Sequence, residues 1–116
     1  DAYQLSVKSL LFSSTASDMA RWFEQLGDFK VIHRESVKTL SETAKDGENI
    51  QSPLGLGDWA NDDLIEHSHH GSTANYECLV RRFKKEGITI VILTNQKNKN
   101  VHDITDTIYK MVKENL

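Results

Sequence analysis

Two β-like segments joined by a short turn constrain the fold of this chain more than any other feature. The segments "YECLVRRF" (76–83) and "ITIVILTN" (88–95) are rich in β-branched and apolar residues, and "KKEG" joins them. Gly87 can supply the positive φ that a four-residue hairpin loop needs. From Ile88 to Leu93, apolar side chains occur at both odd and even positions. We therefore predict a β-hairpin whose second strand is covered on both faces, as happens when helices lie on both sides of a sheet.

Three helices are predicted around this hairpin. Thr15 and Asp18 form a capping pair at the start of the first helix. Its apolar residues follow the i, i+3, i+4, i+7 spacing of a buried helix face, and we expect all of them in the core: Met19, Trp22, Phe23 and Leu26. A second, weaker helix covers "RESVKTLSETA" (34–44), before a polar turn at "KDGEN".

The third helix follows the hairpin, with Asn100 as its cap. Its apolar residues form a single stripe on one side: Val101, Ile104, Ile108, Met111 and Val112. Before the hairpin, "SPLGLGDWANDD" (52–63) predicts a short extended segment that ends in an acidic turn. Together these patterns predict an α+β fold, a small antiparallel sheet packed by helices, as one domain over residues 1–116.

Composition excludes several classes of protein. The 116 residues carry a net charge of −3, which is too little positive charge for the phosphate-neutralising surface of a nucleic-acid binder. The single cysteine, Cys78, excludes an internal disulfide and a cysteine-rich zinc site, and its position within a strand predicts a buried, inert thiol. No apolar run is long enough to span a bilayer, and the first residues lack the pattern of a signal peptide.

Three histidines lie within four positions, at His67, His69 and His70, directly before "GST". Zinc needs three or four ligands, and the remaining candidates show no ligand-like spacing: His33, His102, Asp62 and Asp63. We therefore predict no metal site. Polar side chains at the exposed end of a strand remain an alternative interpretation of the cluster on residue type alone.

Five segments in order suggest a family. "LLFSSTASDMARW", "LGLG" followed by Trp59, "HHGSTANYECLVRRF", "EGITIVILTN" and the closing helix resemble the C-terminal part of the serine β-lactamase and penicillin-binding-protein family, in its class C-like and esterase-like branch. The resemblance covers nearly the whole chain. It implies acyl transfer to a serine, then hydrolysis of a small-molecule amide, β-lactam or ester, with no cofactor, in the periplasm or cell envelope.

The family carries Lys-Thr-Gly or His-x-Gly on one strand, followed in this branch by Ser/Gly-Thr-Pro-Gly and an aromatic residue. "HHGSTANY" (69–76) is similar, with His69 in the Lys position. The resemblance implies that His69 lines the pocket as a hydrogen-bond donor, that Gly71 lets substrate approach, and that the Ser72 N–H is an oxyanion-hole donor. Ala74 and Asn75 replace the usual Pro and Gly. Asn tolerates left-handed backbone, so we expect the turn to form.

Other family features are missing from the chain. There is no Ser-x-x-Lys nucleophile motif and no Tyr-x-Asn relay motif, since Lys8 comes only two residues after Ser6 in "SVKS". No catalytic nucleophile is therefore predicted here, and His67 and His70 are expected to be structural. A non-catalytic binding or interaction module derived from the same fold is the alternative.

The strand edge from Ile88 to Asn95 is expected to be covered. The resemblance places this strand inside the sheet, beside a strand from the N-terminal part of the family's domain. A flat apolar edge invites pairing with another chain. The chain's own "AYQLSV" segment or a second copy across a two-fold axis could cover it, and we favour a homodimer.

Overall fold

A computed structural model describes residues 13–41 and 54–116. These residues form three helices and four strands: α1 (Ala16–Gly27), α2 (Arg34–Ser41), β1 (Leu56–Ala60), β2 (Asp63–Ser72), β3 (Glu77–Phe83), β4 (Ile88–Thr94) and α3 (Val101–Glu114). The predicted turn at "KDGEN", the end of the second predicted helix and the "AYQLSV" segment lie outside the described residues.

The four strands form one antiparallel sheet in the order β1-β2-β3-β4. The predicted hairpin is confirmed, since Phe83 pairs with Ile88 and Gly87 has a φ of 70°. The predicted extended segment is β1, and Asn61, with a φ of 57°, turns the chain into β2. The predicted α+β architecture is therefore confirmed as an antiparallel sheet packed by three helices in a compact globule.

Helices cover both faces of the sheet, as the apolar pattern of β4 predicts. On one face, here called the α1 face, the ring of Phe23 stacks on His67 of β2 at a centroid distance of 4.3 Å. On the opposite face, here called the α3 face, Tyr109 stacks on Phe83 of β3 at 3.9 Å. Phe83 also packs in a buried cluster with Ile88 and Ile90. The core therefore has two layers, one on each side of the sheet.

The start of α1 is confirmed, but its predicted core is partly wrong. The Thr15 hydroxyl accepts a hydrogen bond from the Asp18 N–H at 3.1 Å, as a helix cap does. Phe23 is only 3% exposed, whereas Trp22 is 49% exposed. Successive helix residues are turned by about 100°, so Trp22 lies on the flank of the helix when Phe23 faces the sheet. Gly27, rather than Trp22, packs against the sheet.

The apolar stripe of α3 is also only partly buried. Val101 is buried, but Ile104, Met111 and Val112 are exposed. Thr105 is fully buried, and its hydroxyl is satisfied there by a hydrogen bond from Arg81 of β3. Asn100 precedes the helix as predicted, but its side chain makes no capping hydrogen bond.

We expect opposite results from truncating the two neighbouring aromatic residues of α1. Phe23→Ala should lower the free energy of unfolding by about 3–5 kcal/mol, because it leaves a cavity against His67. Trp22→Ala should cost less than about 1 kcal/mol, since half of the side chain already contacts solvent. Chemical denaturation of both variants measures the difference, and equal losses would contradict this packing of α1.

Candidate functional site

The candidate site is the end of β2, where hydrogen bonding decides which backbone groups are open. Thr73 N–H donates to the Tyr76 carbonyl at 2.9 Å, and Lys84 N–H donates to the Ile65 carbonyl at 3.1 Å. In an antiparallel pair, residues alternate between bonding to their partner strand and facing the other way. Odd-numbered residues of β2 therefore bond to β3. The N–H of Ser72, an even-numbered residue, faces away from β3.

On that outer side, β1 pairs with only part of β2. Its pairing ends where Leu56 lies opposite Ser68. The preceding residue, Gly55, has a φ of 88°, and the Leu54 N–H donates to the Leu40 carbonyl of α2 at 3.2 Å. The chain thus leaves the sheet before it reaches Ser72. Among the described residues, no strand pairs with β2 on this side beyond Ser68, so the Ser72 N–H lies at an open edge.

His69 lies half-buried at the same edge, on the α1 face, and packs directly on Gly55. A Cβ atom on Gly55 would lie 3.0 Å from the Cβ of His69 and 2.2 Å from the Ser68 carbonyl oxygen. A side chain at residue 55 would therefore displace His69 or the strand. The glycine of "LGLG" and the histidine of the motif depend on each other.

The hydrogen bonding of His69 qualifies the donor role that the resemblance implies. Its Nδ1 lies 3.2 Å from the carbonyl oxygen of His70. A carbonyl only accepts, so Nδ1 must carry the hydrogen, and Nε2 of the neutral ring is then an acceptor. His69 becomes a donor through Nε2 only when the ring is protonated.

Gly71 has a packing role as well as the implied role in substrate approach. A Cβ atom on Gly71 would lie 2.8 Å from Sγ of Cys78, its partner on β3. Burial raises the pKa of the Cys78 thiol, the charge of Glu77 raises it further, and a hydrogen bond with the Gly71 backbone opposes both. Cys78 is therefore half-buried rather than fully buried as predicted, and its side chain fills the space above the glycine.

The side chain of Ser72 belongs to a charged cluster on the α3 face. Glu77, directly opposite on β3, accepts hydrogen bonds from Ser72 Oγ at 3.0 Å and from His70 Nε2 at 2.5 Å. Lys97 bonds to Ser72 Oγ and lies 3.7 Å from the Glu77 carboxylate. Burial would raise the pKa of Glu77, but these hydrogen bonds and charges outweigh it and lower that pKa. His70 is therefore held as a partner of Glu77, away from His69.

His67 is buried beneath α1. Its Nε2 donates to the Leu54 carbonyl at 2.7 Å, and its Nδ1 has no hydrogen-bond partner. Burial lowers the pKa of His67 and the nearby His69 lowers it further, although the bond to Leu54 opposes both. The ring is neutral at neutral pH and acts as a core residue, as the sequence predicts.

The turn that follows the motif forms as expected, although Asn75 does not adopt the left-handed backbone that Asn tolerates. The hydrogen bond from Thr73 to Tyr76 closes it. Among the described residues other than glycine, only Phe29 and Asn61 have a positive φ. The predicted turn is therefore confirmed, with Asn75 outside the left-handed region.

The site is an open wall rather than an enclosed cavity. A shallow depression lies on the neighbouring strands, between Leu56 and Asp58 of β1 and Glu66 and Ser68 of β2, and it does not include His69. Across residues 13–41 and 54–116, no group of three or more His, Cys, Asp or Glu side chains could hold a metal ion. No helix in this part of the chain is both long enough and apolar enough to cross a membrane.

Comparison with known proteins adds no assignment. No known protein family, curated protein or solved structure matches the chain. The resemblance to the β-lactamase family therefore remains a hypothesis that rests on the segments quoted from the sequence.

The burial of His67 should make folding stability depend on pH. Because its pKa in the folded state lies below the ordinary value of 6.5, the unfolded chain binds the proton more readily. The stabilisation is complete above that value and is lost as the pH falls towards the lowered pKa. His67→Phe keeps a ring against Phe23 and removes the titration.

We expect the free energy of unfolding of the original protein to fall more steeply between about pH 7 and pH 5 than that of His67→Phe. At neutral pH the variant should be less stable than the original protein by about 1–3 kcal/mol, because the Leu54 carbonyl loses its donor, and this difference should shrink as the pH falls. His33→Gln, at an exposed position, is the control and should keep the original slope. Equal slopes for His67→Phe and the original protein would refute the buried neutral ring.

Proposed function

We propose that this chain forms one wall of the acyl-transfer site of a β-lactamase-like serine hydrolase, as the C-terminal part of a β-lactamase/transpeptidase-like fold. The observation that carries the proposal is the open backbone N–H of Ser72, directly after Gly71 and beside His69. Attack of a serine on a carbonyl carbon places negative charge on the carbonyl oxygen. A fixed N–H about 2.7–3.1 Å from that oxygen stabilises the charge without reorganisation.

Two further features support a substrate at this edge. Beyond Ser68, the outward backbone groups of His70 and Ser72 can pair with an extended substrate as an added strand would. His69 lies at the same edge, where its protonated form would donate to an acceptor or a negative charge on the substrate. We therefore assign substrate positioning to His69 and oxyanion stabilisation to the Ser72 N–H.

The remaining steps belong to residues outside this chain. The proposal requires a longer parent protein that supplies the serine nucleophile of Ser-x-x-Lys and the tyrosine of Tyr-x-Asn, because neither motif occurs here. The serine would form an acyl-enzyme, and water would then hydrolyse it. The substrate would be a small-molecule amide, β-lactam or ester.

A second candidate is a non-catalytic binding or interaction module derived from the same fold. It is favoured by the packing of Gly71 against Cys78, which explains the glycine without any substrate. It is also favoured by the engagement of the Ser72 hydroxyl with Glu77. The coding sequence upstream of this chain separates the two candidates, because only the enzyme needs both missing motifs.

The isolated 116-residue chain should not hydrolyse a chromogenic β-lactam or a p-nitrophenyl ester above background. It offers a donor for the oxyanion but no activated serine to attack the carbonyl. The measurement is turnover by the purified chain at increasing protein concentration. Hydrolysis that survives purification and scales with the protein would overturn the division of roles proposed here.

In the parent protein, Ser72→Pro should lower kcat by about 10²–10³-fold, because proline has no N–H to donate. The fold should tolerate this change, since the Ser72 N–H faces away from β3 and proline is accepted at such edge positions. Ser72→Ala keeps the N–H and should retain kcat within about threefold of the original enzyme. Circular dichroism checks that both variants fold. Equal kcat values for folded Pro and Ala variants would rule out the oxyanion role.

A further inference from the structure

His67 is the most deeply buried of the three clustered histidines, and its ring bonds to a residue outside the sheet. It is fully buried, whereas His69 and His70 are half-buried. Its Nε2–H donates to the Leu54 carbonyl at 2.7 Å, across 13 positions of the chain. A buried hydrogen bond is stronger than one in water, and its loss leaves an unsatisfied group. The bond therefore fixes the segment that precedes β1 to the middle of β2.

Leu54 is also held from α2, so this segment has two anchors. Its N–H donates to the Leu40 carbonyl at 3.2 Å, and its carbonyl accepts from His67. Both of its backbone polar groups are thus bonded. Gly55 follows with a φ of 88°, a left-handed conformation in which a side chain would be strained. Leu54 and Gly55, here called the Leu54–Gly55 turn, are therefore fixed between α2 and the sheet.

The turn lies directly against the ring of His69. A Cβ atom on Gly55 would lie 3.0 Å from Cδ2 of this ring and 2.2 Å from the Ser68 carbonyl oxygen. Cδ2 and Nδ1 are on opposite sides of an imidazole ring. The turn therefore contacts one side of the ring, while Nδ1–H on the other side donates to the His70 carbonyl.

The contact with the turn matters because little else orients His69. Across residues 13–41 and 54–116, the bond to the His70 carbonyl is the only hydrogen bond of the ring. At 3.2 Å, this bond lies at the long end of the range for N–H···O bonds. If the turn moved away, the half-buried ring would exchange this bond for one to water. Its Nδ1–H would then no longer be fixed.

β1 does not depend on the bond of His67 in the same way. It pairs with β2 from Leu56 onwards, and the Trp59 Nε1–H donates to the Ser41 hydroxyl of α2 at 3.0 Å. These contacts hold β1 in the sheet independently of His67. Loss of the His67 bond is therefore expected to release the Leu54–Gly55 turn without removing β1.

We propose that His67 is a positioning residue: through the Leu54–Gly55 turn, its Nε2–H holds the ring of His69 at the open edge of β2. This role rests on the proposed function, in which His69 positions the substrate. His67 itself is buried beneath α1 and acts only through the turn. A residue needed only for the core would affect stability alone, whereas a positioning residue also sets the state of His69 in the folded protein.

Nitrogen-15 NMR of the His69 ring tests this role on the 116-residue chain, at about pH 8.5, well above the ordinary histidine pKa of about 6.5. In the original protein, Nδ1 should carry the hydrogen, because it faces the His70 carbonyl. In His67→Phe, the Nδ1 signal should move towards that of a nitrogen without hydrogen, because the freed ring exchanges between its two neutral forms. His67→Gln supplies a neutral amide donor for Leu54 and should restore the original signal.

Two further variants separate this role from general destabilisation. Gly55→Ala displaces the turn directly, since its Cβ would lie 2.2 Å from the Ser68 carbonyl oxygen, and should change the His69 signal with His67 intact. Ile90→Val, in the core of the opposite face, lowers stability without contacting the turn and should leave the signal unchanged. His67→Met, which also lacks a donor, replaces His67→Phe if the latter does not fold. An unchanged signal in the folded donor-less variant would overturn the proposal, as would an equal change in Ile90→Val.

Kinetics of the parent protein separate this role from the proposed function. His67→Phe should lower kcat/KM at least about tenfold and His67→Gln less than about threefold, because misplacing a substrate by about 1 Å costs up to about 10²-fold. Circular dichroism checks that both variants fold. A His69 signal that changes without any loss of kcat/KM would support the positioning of the ring and overturn the substrate role of His69. An unchanged His69 signal would overturn the role of His67 and leave the proposed function standing.

Discussion

The alternation of hydrogen bonds across the sheet decides what each residue of β2 can do. It directs the N–H of odd-numbered residues to β3 and leaves the Ser72 N–H at the outer edge. The matching alternation of side chains separates His69 on the α1 face from His70 and the Ser72 hydroxyl on the α3 face. A shift of one residue in the pairing would direct the Ser72 N–H towards β3, where it would no longer be open to a substrate.

The surroundings of β2 keep that alternation in place and keep the edge open. On the α1 face, His67 is fixed by Phe23 and by the Leu54 carbonyl. Gly55 then directs the chain away towards α2, before it can pair with the end of β2. On the α3 face, Glu77 holds His70 and Ser72 from the neighbouring strand. The open wall is therefore a product of packing on both sides of the sheet.

Much of the fold could be predicted from the sequence because its signals are local. The hairpin, the start of α1 and the separation of His69 from His70 follow from turn chemistry and from two-residue periodicity. The sequence predicts less well which apolar residues of a helix are buried. Apolar spacing groups Trp22 with Phe23, but only the packed sheet decides which of them faces inward.

The charged partners of the site were missed for a different reason. Glu77 lies on the next strand and Lys97 lies beyond the strand after that, and the antiparallel register is what brings both of them to His70 and Ser72. The position of Glu77 opposite Ser72, across a four-residue turn, is the one signal in the sequence that could have indicated this cluster. No local motif marks Lys97.

The claim that the Ser72 N–H is open can be tested without knowing any substrate. Hydrogen exchange measured by NMR on the isolated chain compares the amides of Gly71, Ser72 and Thr73. We expect the Ser72 amide to exchange rapidly and its two neighbours to be protected, because only the odd-numbered residues bond to β3. A Ser72 amide as protected as those of Gly71 and Thr73 would show that another group already occupies this edge and would contradict the account.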